Sequence, residues 1–358
     1  MRVWIAGGGT GGHVIPALAI ANELRDRHGA EVRFVGTARG LETRLVPAAG
    51  FALDLIQVGQ LKNVSLATRV RTLLDLPLGV LACVRMLRRY RPQVVVGVGG
   101  YASGPGMLAA LLLRVPTLAF EPNAVPGLAN KAVGRLVQAA AVNFAETRRY
   151  FRNARVTGTP VRPEFFALAD AGTHTGKRLL VFGASQGARL FNQTLPRIVG
   201  PLLQRMSQLS VVHQTGARHV ESTLAAYQQM GGVPAQVQVT PYLDDMAAQF
   251  GAADVILCRS GASTMAELAA AGRAALLVPF PQAADDHQRK NAEVFVAAGA
   301  AAMLVEQKLT EESLLAQLLE LLEDSARCAA MAAAARQFAH PHAAREIAGM
   351  VLELARGG

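Results

Sequence analysis

With 358 residues, 51% of them apolar and 17% charged, the chain is too long for one ordinary core and too apolar for extended disorder, so two packed globular domains are expected. Three scattered cysteines, Cys83, Cys258 and Cys328, lack ligand or framework spacing, which reads as a reducing compartment without disulfides. The formal charge of +10 calls for an acidic partner, whether nucleic acid, anionic lipid or a phosphorylated substrate, while the longest apolar stretches are interrupted short of the roughly 20 residues a membrane span needs.

The chain opens on a predicted strand, Val3 to Ala6, with no basic and apolar leader ahead of it, so secretion is not expected. GGGTGGH, Gly7 to His13, follows and leads into a helical pattern from Ile15 to Arg25. A glycine loop entering a helix turns sharply, brings N–H groups together and faces the positive end of the helix dipole, so a phosphate is its natural guest. Gly7, Gly9 and Gly12 also satisfy the dinucleotide spacing G-x-G-x-x-G, but the second predicted strand, Glu31 to Gly36, ends in Thr37 and Ala38 instead of the acid a nicotinamide site carries. Arg39 beyond it is either a 2′-phosphate partner or a solvated loop arginine. His13 is placed to move a proton beside a bound anion, or else to make local hydrogen bonds at the helix start.

Further strands are predicted at Leu53 to Val58, Val94 to Gly99, Thr117 to Glu121 and Ala140 to Phe144, separated mostly by helical runs, which argues a parallel sheet with ligands at the carboxyl ends of its strands. Two more loops fall at such ends: GVGGYASGPG, Gly97 to Gly106, and EPNAVPGLANK, Glu121 to Lys131. Between Leu61 and Pro92 lie Lys62, Arg69, Arg71, Arg85, Arg88, Arg89 and Arg91 against the single acid Asp75, interleaved with leucines. This basic amphipathic pattern suits an anionic membrane surface, or core helices with basic outer faces. Nucleic-acid binding would add stacking aromatics, and Tyr90 stands alone there.

Periodicity lapses between Gly158 and Gly176, the expected linker, and then restarts. Strands are predicted at Lys177 to Gly183, Ser210 to His213, Val237 to Thr240, Asp254 to Cys258, Ala274 to Val278 and Ala302 to Val305, so the chain reads as two doubly wound units in tandem. GASQG, Gly183 to Gly187, matches a hydrolase nucleophile elbow with Ser185 as nucleophile, and Asp285 or Asp286 with His340 or His342 as its partners. A hydrolase of that kind is built on a single sheet, so Ser185 reads better as a loop hydroxyl or helix cap facing a ligand. RSGASTMAE, Arg259 to Glu267, presents Ser260, Gly261, Ser263 and Thr264 at a helix start suited to phosphate. Glu267, a turn further on, is either an acceptor for a ribose diol or an acid complementing the helix dipole. PFPQAADDHQRKNA, Pro279 to Ala292, clusters Asp285, Asp286, His287 and Gln288, either as helix caps or as sugar contacts. No Asp-x-Asp pair and no ligand-spaced histidines imply a metal. The last predicted helix, His340 to Ala355, is long enough to cross back to the first domain.

Taken together, GGGTGGH, GVGGYASGPG, EPNAVPGLANK, GTPVR, GASQGAR, the YLDDM run, RSGASTMAE and the DDHQ loop resemble, in order and spacing and over nearly the whole chain, the MurG family of bacterial peptidoglycan glycosyltransferases. The resemblance implies a GT-B fold, two Rossmann-like doubly wound α/β domains facing a cleft. An acceptor-binding domain would span 1–160, with the C-terminal helix 341–358 packed back on it, and a UDP-GlcNAc-binding domain would span 161–340. It implies His13 as the base and Thr10, Gly11, Gly12, Asn123, Arg162, Ser185, Leu243, Ala262, Ser263, Thr264, Met265, Ala266, Glu267 and Gln288 as donor contacts, with Gly100, Tyr101, Ser103 and Glu121 in the acceptor-side loops. The implied reaction is inverting transfer of GlcNAc from UDP-GlcNAc to the MurNAc C4 hydroxyl of a membrane-anchored undecaprenyl-pyrophosphoryl acceptor, lipid I, on the cytoplasmic face of the inner membrane. No cofactor, metal or nucleic acid takes part, and an anionic membrane surface is the partner. The alternative is another GT-B transferase with a different nucleotide sugar or acceptor. The chain departs from the family at Pro122, where Gln is frequent, and at Pro281 and Gln282, where Pro-His is commoner.

Overall fold

The structure, a computed structural model, describes residues 1–58, 66–168 and 176–357, with only the backbone described for 66–75. Lys62 and much of the expected linker thus lie outside the described residues, and so do the side chains of Arg69, Arg71 and Asp75. The chain divides into two compact units, Met1–Pro160 with His342–Gly358, and Val161–Pro341.

In the first unit the order is β1 (Arg2–Ala6), α1 (Gly11–His28), β2 (Glu31–Gly36), α2 (Glu42–Ala48), β3 (Ala52–Leu55), α3 (Leu66–Tyr90), β4 (Val94–Gly97), α4 (Ser103–Leu112), β5 (Thr117–Glu121), α5 (Leu128–Val133), β6 (Ala139–Val142) and β7 (Ala154–Val156). The second unit continues with β8 (Lys177–Phe182), α6 (Arg189–Arg205), β9 (Leu209–Gln214), α7 (Val220–Gln229), β10 (Val237–Thr240), α8 (Met246–Ala252), β11 (Val255–Cys258), α9 (Ala262–Ala271), β12 (Ala274–Leu277), α10 (His287–Ala297), β13 (Ala302–Met303), α11 (Glu311–Glu323) and α12 (Ser325–Arg336). Helix α13 (Ala343–Gly357) closes the chain in the first unit.

Among the described residues the first sheet runs β3-β2-β1-β4-β5-β6-β7 and the second β10-β9-β8-β11-β12-β13, with all strand pairs parallel. In both, strand order reverses between the first strand and the fourth. Connections leaving neighbouring strands in opposite directions open a crevice at their carboxyl ends, where α/β sheets bind ligands. The loops at the first switch point are GGGTGGH after β1 and GVGGYASGPG after β4. Those at the second are GASQG after β8 and RSGASTMAE after β11, with the PFPQAADDHQ loop following the adjacent β12.

The strands are buried on both faces, as parallel strands under helices must be. On β1, Val3 and Ile5 pack with Ile20 and Leu24 of α1 and Ile347 and Val351 of α13, while Trp4 and Ala6 point to the opposite layer with Leu87, Met107 and Ala110. The return of α13 is therefore a core contact, and its Arg155–Glu353 ion pair, with both side chains about 60% exposed, only decorates the rim. Several predicted strands end sooner than expected, and β7 was not anticipated. It has three residues, none of them fully buried, and so leaves no apolar alternation to read.

Ile347→Ala should lower the denaturant midpoint of the first unit by an amount equivalent to about 2–5 kcal/mol, the usual cost of emptying a packed aliphatic site. Arg155→Ala should change it by less than about 1 kcal/mol, because exposed ion pairs contribute little.

Candidate functional site

The first glycine loop is held on all sides. Gly7 N–H donates to Val35 O at 3.1 Å and Gly8 N–H to Gly99 O at 3.3 Å. A β-carbon on Gly100, whose φ is +82°, would stand 2.1 Å from Gly8 O, so the two switch-point loops meet backbone to backbone and only glycine fits. Helix α1 then starts at Gly11 behind an extended Thr10 whose side chain makes no capping bond. In its first turn the N–H groups of Thr10, Gly11 and Gly12 precede the first bond of the helix, His13 N–H to Thr10 O at 3.1 Å. His13 sits in this turn, half-buried, its Nδ1 3.4 Å from Thr10 Oγ1 and its ring against the backbone of Gly99.

The carboxylate of Glu42, which the sequence did not single out, lies beneath the loop. It accepts hydrogen bonds from Gly9 N–H at 2.7 Å, Thr37 N–H at 2.9 Å and Thr37 Oγ1 at 3.1 Å and is 1% exposed.

In the other loops of this unit the residues expected to face an acceptor separate into two kinds. Tyr101 is exposed, and Gly100 is partly so. Ser103 and Glu121 are buried. The Glu121 carboxylate accepts from Asn123 N–H and Nδ2 at 3.0 Å each, from Gly127 N–H at 3.1 Å and from Asn130 Nδ2 at 2.9 Å. Burial raises its pKa while these donors pull the other way. Glu121 therefore shapes the EPNAVPG loop and presents Asn123. Pro122 is buried in the same turn.

In the second unit, α9 begins at Ala262 with Gly261 extended as its N-cap and open space around it. The N–H groups of Ala262, Ser263 and Thr264 precede the first intrahelical bond, Met265 N–H to Gly261 O. The buried Ser263 Oγ makes no hydrogen bond among the described residues. Ser260, expected beside them, is instead spent internally, its hydroxyl donating to Gln288 O at 2.9 Å. Met265 and Ala266 are buried, so their side chains belong to the core.

Glu267 is only partly enclosed by surface measure. Its carboxyl is nonetheless dry enough that burial pushes its pKa up to about 7, with the nearby Arg162 guanidinium acting in the opposite sense. Arg162 is exposed and lies over the Phe165 ring at 5.2 Å.

Ser185 is an exposed loop hydroxyl and not a cap, since α6 starts at Arg189 with Ala188 as N-cap and the left-handed residue is Ala184. The loop is backed by the Thr215–Gly216 turn, which Asn192 Nδ2 holds through Thr215 O at 2.9 Å. Asn192 in turn contacts the buried His213, whose pKa burial lowers to about 3. Leu243 is 8% exposed, so any contact there is made through its backbone, whereas neighbouring Tyr242 is open. Gln288 Oε1 accepts from Phe280 N–H at 3.0 Å, which ties α10 to the loop after β12. Asp285 and Asp286 are consecutive left-handed residues, and Asp286 pairs with Arg289 without capping the helix. Strain of about 1–3 kcal/mol per such residue is commonly kept where a loop serves a site. No cluster of three or more metal-ligating side chains occurs among the described residues.

Residues 3–142 match the N-terminal domain of glycosyltransferase family 28 and residues 178–347 its C-terminal domain. The UDP-N-acetylglucosamine--N-acetylmuramyl-(pentapeptide) pyrophosphoryl-undecaprenol N-acetylglucosamine transferase of Anaeromyxobacter dehalogenans is 45% identical, the alignment covering 99% of this chain and 94% of that protein. The enzyme of the same name from Nitrosococcus oceani is 43% identical, covering 100% and 99%. The crystal structure of Acinetobacter baumannii MurG aligns with a TM-score of 0.80 at 32% identity, covering 98% of this chain and 99% of that one.

The raised pKa of Glu267 has a consequence for stability. The folded protein holds a proton that the unfolded chain releases near 4.5, so stability falls as pH rises from there through about 7. Glu267→Gln removes that penalty, at most about 3 kcal/mol. Its melting temperature should exceed that of the parent at pH 8 and match it near pH 4.5.

Proposed function

The chain belongs to glycosyltransferase family 28, and from that premise we propose that it transfers N-acetylglucosamine from UDP-GlcNAc to the C4 hydroxyl of undecaprenyl-pyrophosphoryl-MurNAc-pentapeptide, converting lipid I to lipid II in peptidoglycan synthesis. The observation that carries this reading is end-to-end identity above 40% to relatives bearing that activity in their names, on a chain that places four of its glycine and hydroxyl loops at the two switch points.

The reaction is a single displacement. The acceptor oxygen bonds to the anomeric carbon as the bond from that carbon to the diphosphate breaks, and the electron pair leaves on UDP. The hydroxyl proton goes to His13, a half-buried imidazole at the start of α1. The departing diphosphate needs positive potential. The free N–H groups of Ala262, Ser263 and Thr264 and the orphan hydroxyl of Ser263 supply it, with Arg162 adding a full charge. Glu267 suits the ribose diol, since a carboxylate accepts two hydrogen bonds and cannot usefully face a phosphate. Ser185, the Leu243 backbone and Gln288 complete the donor side. On the first unit, Thr10, Gly11, Gly12 and Asn123 face the sugar-diphosphate, and Gly100 and Tyr101 the acceptor. Ser103 and Glu121 act by shaping those loops.

His13→Ala is expected to leave UDP affinity, measured by calorimetry, roughly intact and to lower turnover about 10²- to 10⁴-fold. Transfer of labelled GlcNAc to a lipid I analogue tests the reaction itself. A parent enzyme inactive with UDP-GlcNAc but active with another nucleotide sugar would replace it with the alternative GT-B reading.

A membrane-anchored acceptor requires the enzyme to reach a lipid surface. No helix among the described residues is long and apolar enough to cross a membrane. The later half of α3, however, carries Leu78 (67% exposed), Leu81 (44%), Arg85, Arg88 and Arg89 at helical spacing on an outward stripe. Leu112, 70% exposed, ends the adjoining helix α4. Apolar area flanked by arginines suits peripheral binding to anionic headgroups on the cytoplasmic leaflet, at about 1 kcal/mol per basic residue. Reversing Arg85, Arg88 and Arg89 to Glu should abolish sedimentation with anionic vesicles at low salt and reduce activity on a long-chain acceptor, while activity on a short soluble acceptor survives. Equal loss on both acceptors would refute the membrane role.

A further inference from the structure

Glu42 is a buried carboxylate with no part in the displacement just described, and its surroundings are unusually specific. Three donors converge on it from two segments: Gly9 N–H at 2.7 Å, and Thr37 N–H and Oγ1 at 2.9 and 3.1 Å. Three glycines wall it in. A β-carbon would stand 2.3 Å from the Glu42 carboxyl carbon at Gly8, 2.5 Å from its Cγ at Gly36 and 1.9 Å from its Oε2 at Gly40. The backbone beside it completes the grip, because Leu41 N–H donates to Gly9 O at 3.1 Å. Gly9 is thus held through both its N–H and its C=O by consecutive residues 41 and 42. It immediately precedes Thr10, the N-cap of the helix that carries His13.

This arrangement also settles which amides the loop can offer. Gly7, Gly8 and Gly9 have their N–H groups engaged by Val35 O, Gly99 O and Glu42 respectively, and His13 N–H turns back to Thr10 O at 3.1 Å. The N–H groups of Thr10, Gly11 and Gly12 remain. A loop whose spacing mimics a dinucleotide cradle is thereby reduced to a short anion-facing helix start, with the buried Glu42 carboxyl group behind it.

We propose that Glu42 is a positioning residue for the transfer: by clamping Gly9 it fixes the start of α1, and so sets the place of the His13 imidazole. An acceptor-only carboxylate suits three converging donors, whereas an amide would turn an NH₂ toward one of them. This inference rests on the reaction proposed above and on His13 as its base.

The test compares Glu42→Gln and Gly40→Ala with the parent and with His13→Ala, measuring GlcNAc transfer to a soluble lipid I analogue, UDP affinity by calorimetry, and amide hydrogen exchange at residues 9–14 without substrate. Gly40→Ala keeps the carboxylate but pushes it out of place, so it carries the test if Glu42→Gln does not fold. The expected result is a fall in kcat of about 10- to 100-fold, the scale of a misplaced catalytic group. KM for UDP-GlcNAc and the UDP Kd should stay within about threefold, and exchange at Gly9, His13 and Val14, whose N–H groups are bonded in the parent, should accelerate. Unchanged kcat with unchanged exchange, or a loss of UDP affinity in proportion to kcat, would overturn the proposal. If the parent itself transfers no GlcNAc, the functional reading has failed instead, and the exchange arm alone still reports whether Glu42 fixes the loop.

Discussion

Everything functional in this molecule depends on one topological constraint, the reversal of strand order between the first and fourth strands of each sheet. Parallel strands need long crossovers, and where two neighbouring crossovers depart to opposite sides the loops that start them are left facing each other. In the first unit this sets the backbone of Gly8 against Gly99 and Gly100. In the second, GASQG and RSGASTMAE leave the ends of paired neighbouring strands, after Phe182 and Cys258. The chemistry is a consequence: a helix start at a switch point exposes N–H groups to a ligand at little cost in structure, since those groups have no intrahelical partner in any case.

The electrostatics follow the same economy. In the proposed reaction the leaving diphosphate would meet helix-end amides, the Ser263 hydroxyl and Arg162. Glu267 shows the opposite side of this arrangement. A carboxyl kept dry enough to titrate near 7 is a liability for the folded state. Sites that serve a ligand commonly carry such a cost, which the rest of the fold must offset.

The sheets and ligand loops were legible in the sequence because each leaves a physical mark. Buried parallel strands read as short apolar runs, and the glycines at 7, 100 and 187 are required by close backbone approach. Strand ends were less legible, as with β3, which stops at Leu55 where the apolar run continues to Val58. The orientation of single polar residues was not legible at all. Ser103, Glu121 and Ser260 belong to functional loops but point inward, and only the satisfied bonds of Glu121 and Ser260 reveal why. Glu42 reads as one acid in an ordinary helical run, since its partners Gly9 and Thr37 come from separate loops. The clue available was indirect, glycines at 36 and 40 on either side of a loop that needs no left-handed residue there.

The return of α13 to the first unit bears on how the chain is made. Ile347, Met350 and Val351 fill the same cluster as Val3, Ile5 and Ile20, so β1 cannot complete the cover of that face until α13, made after the whole second unit, arrives. At about 5–20 residues per second the intervening second unit takes roughly ten to forty seconds to synthesise. During that interval an apolar groove over β1 and α1 stands open in the nascent protein. The second unit, contiguous in sequence, is free to fold first. The order of maturation is therefore inverted relative to the order of translation, and a truncation that removes only the last turns of the chain would damage the domain made first.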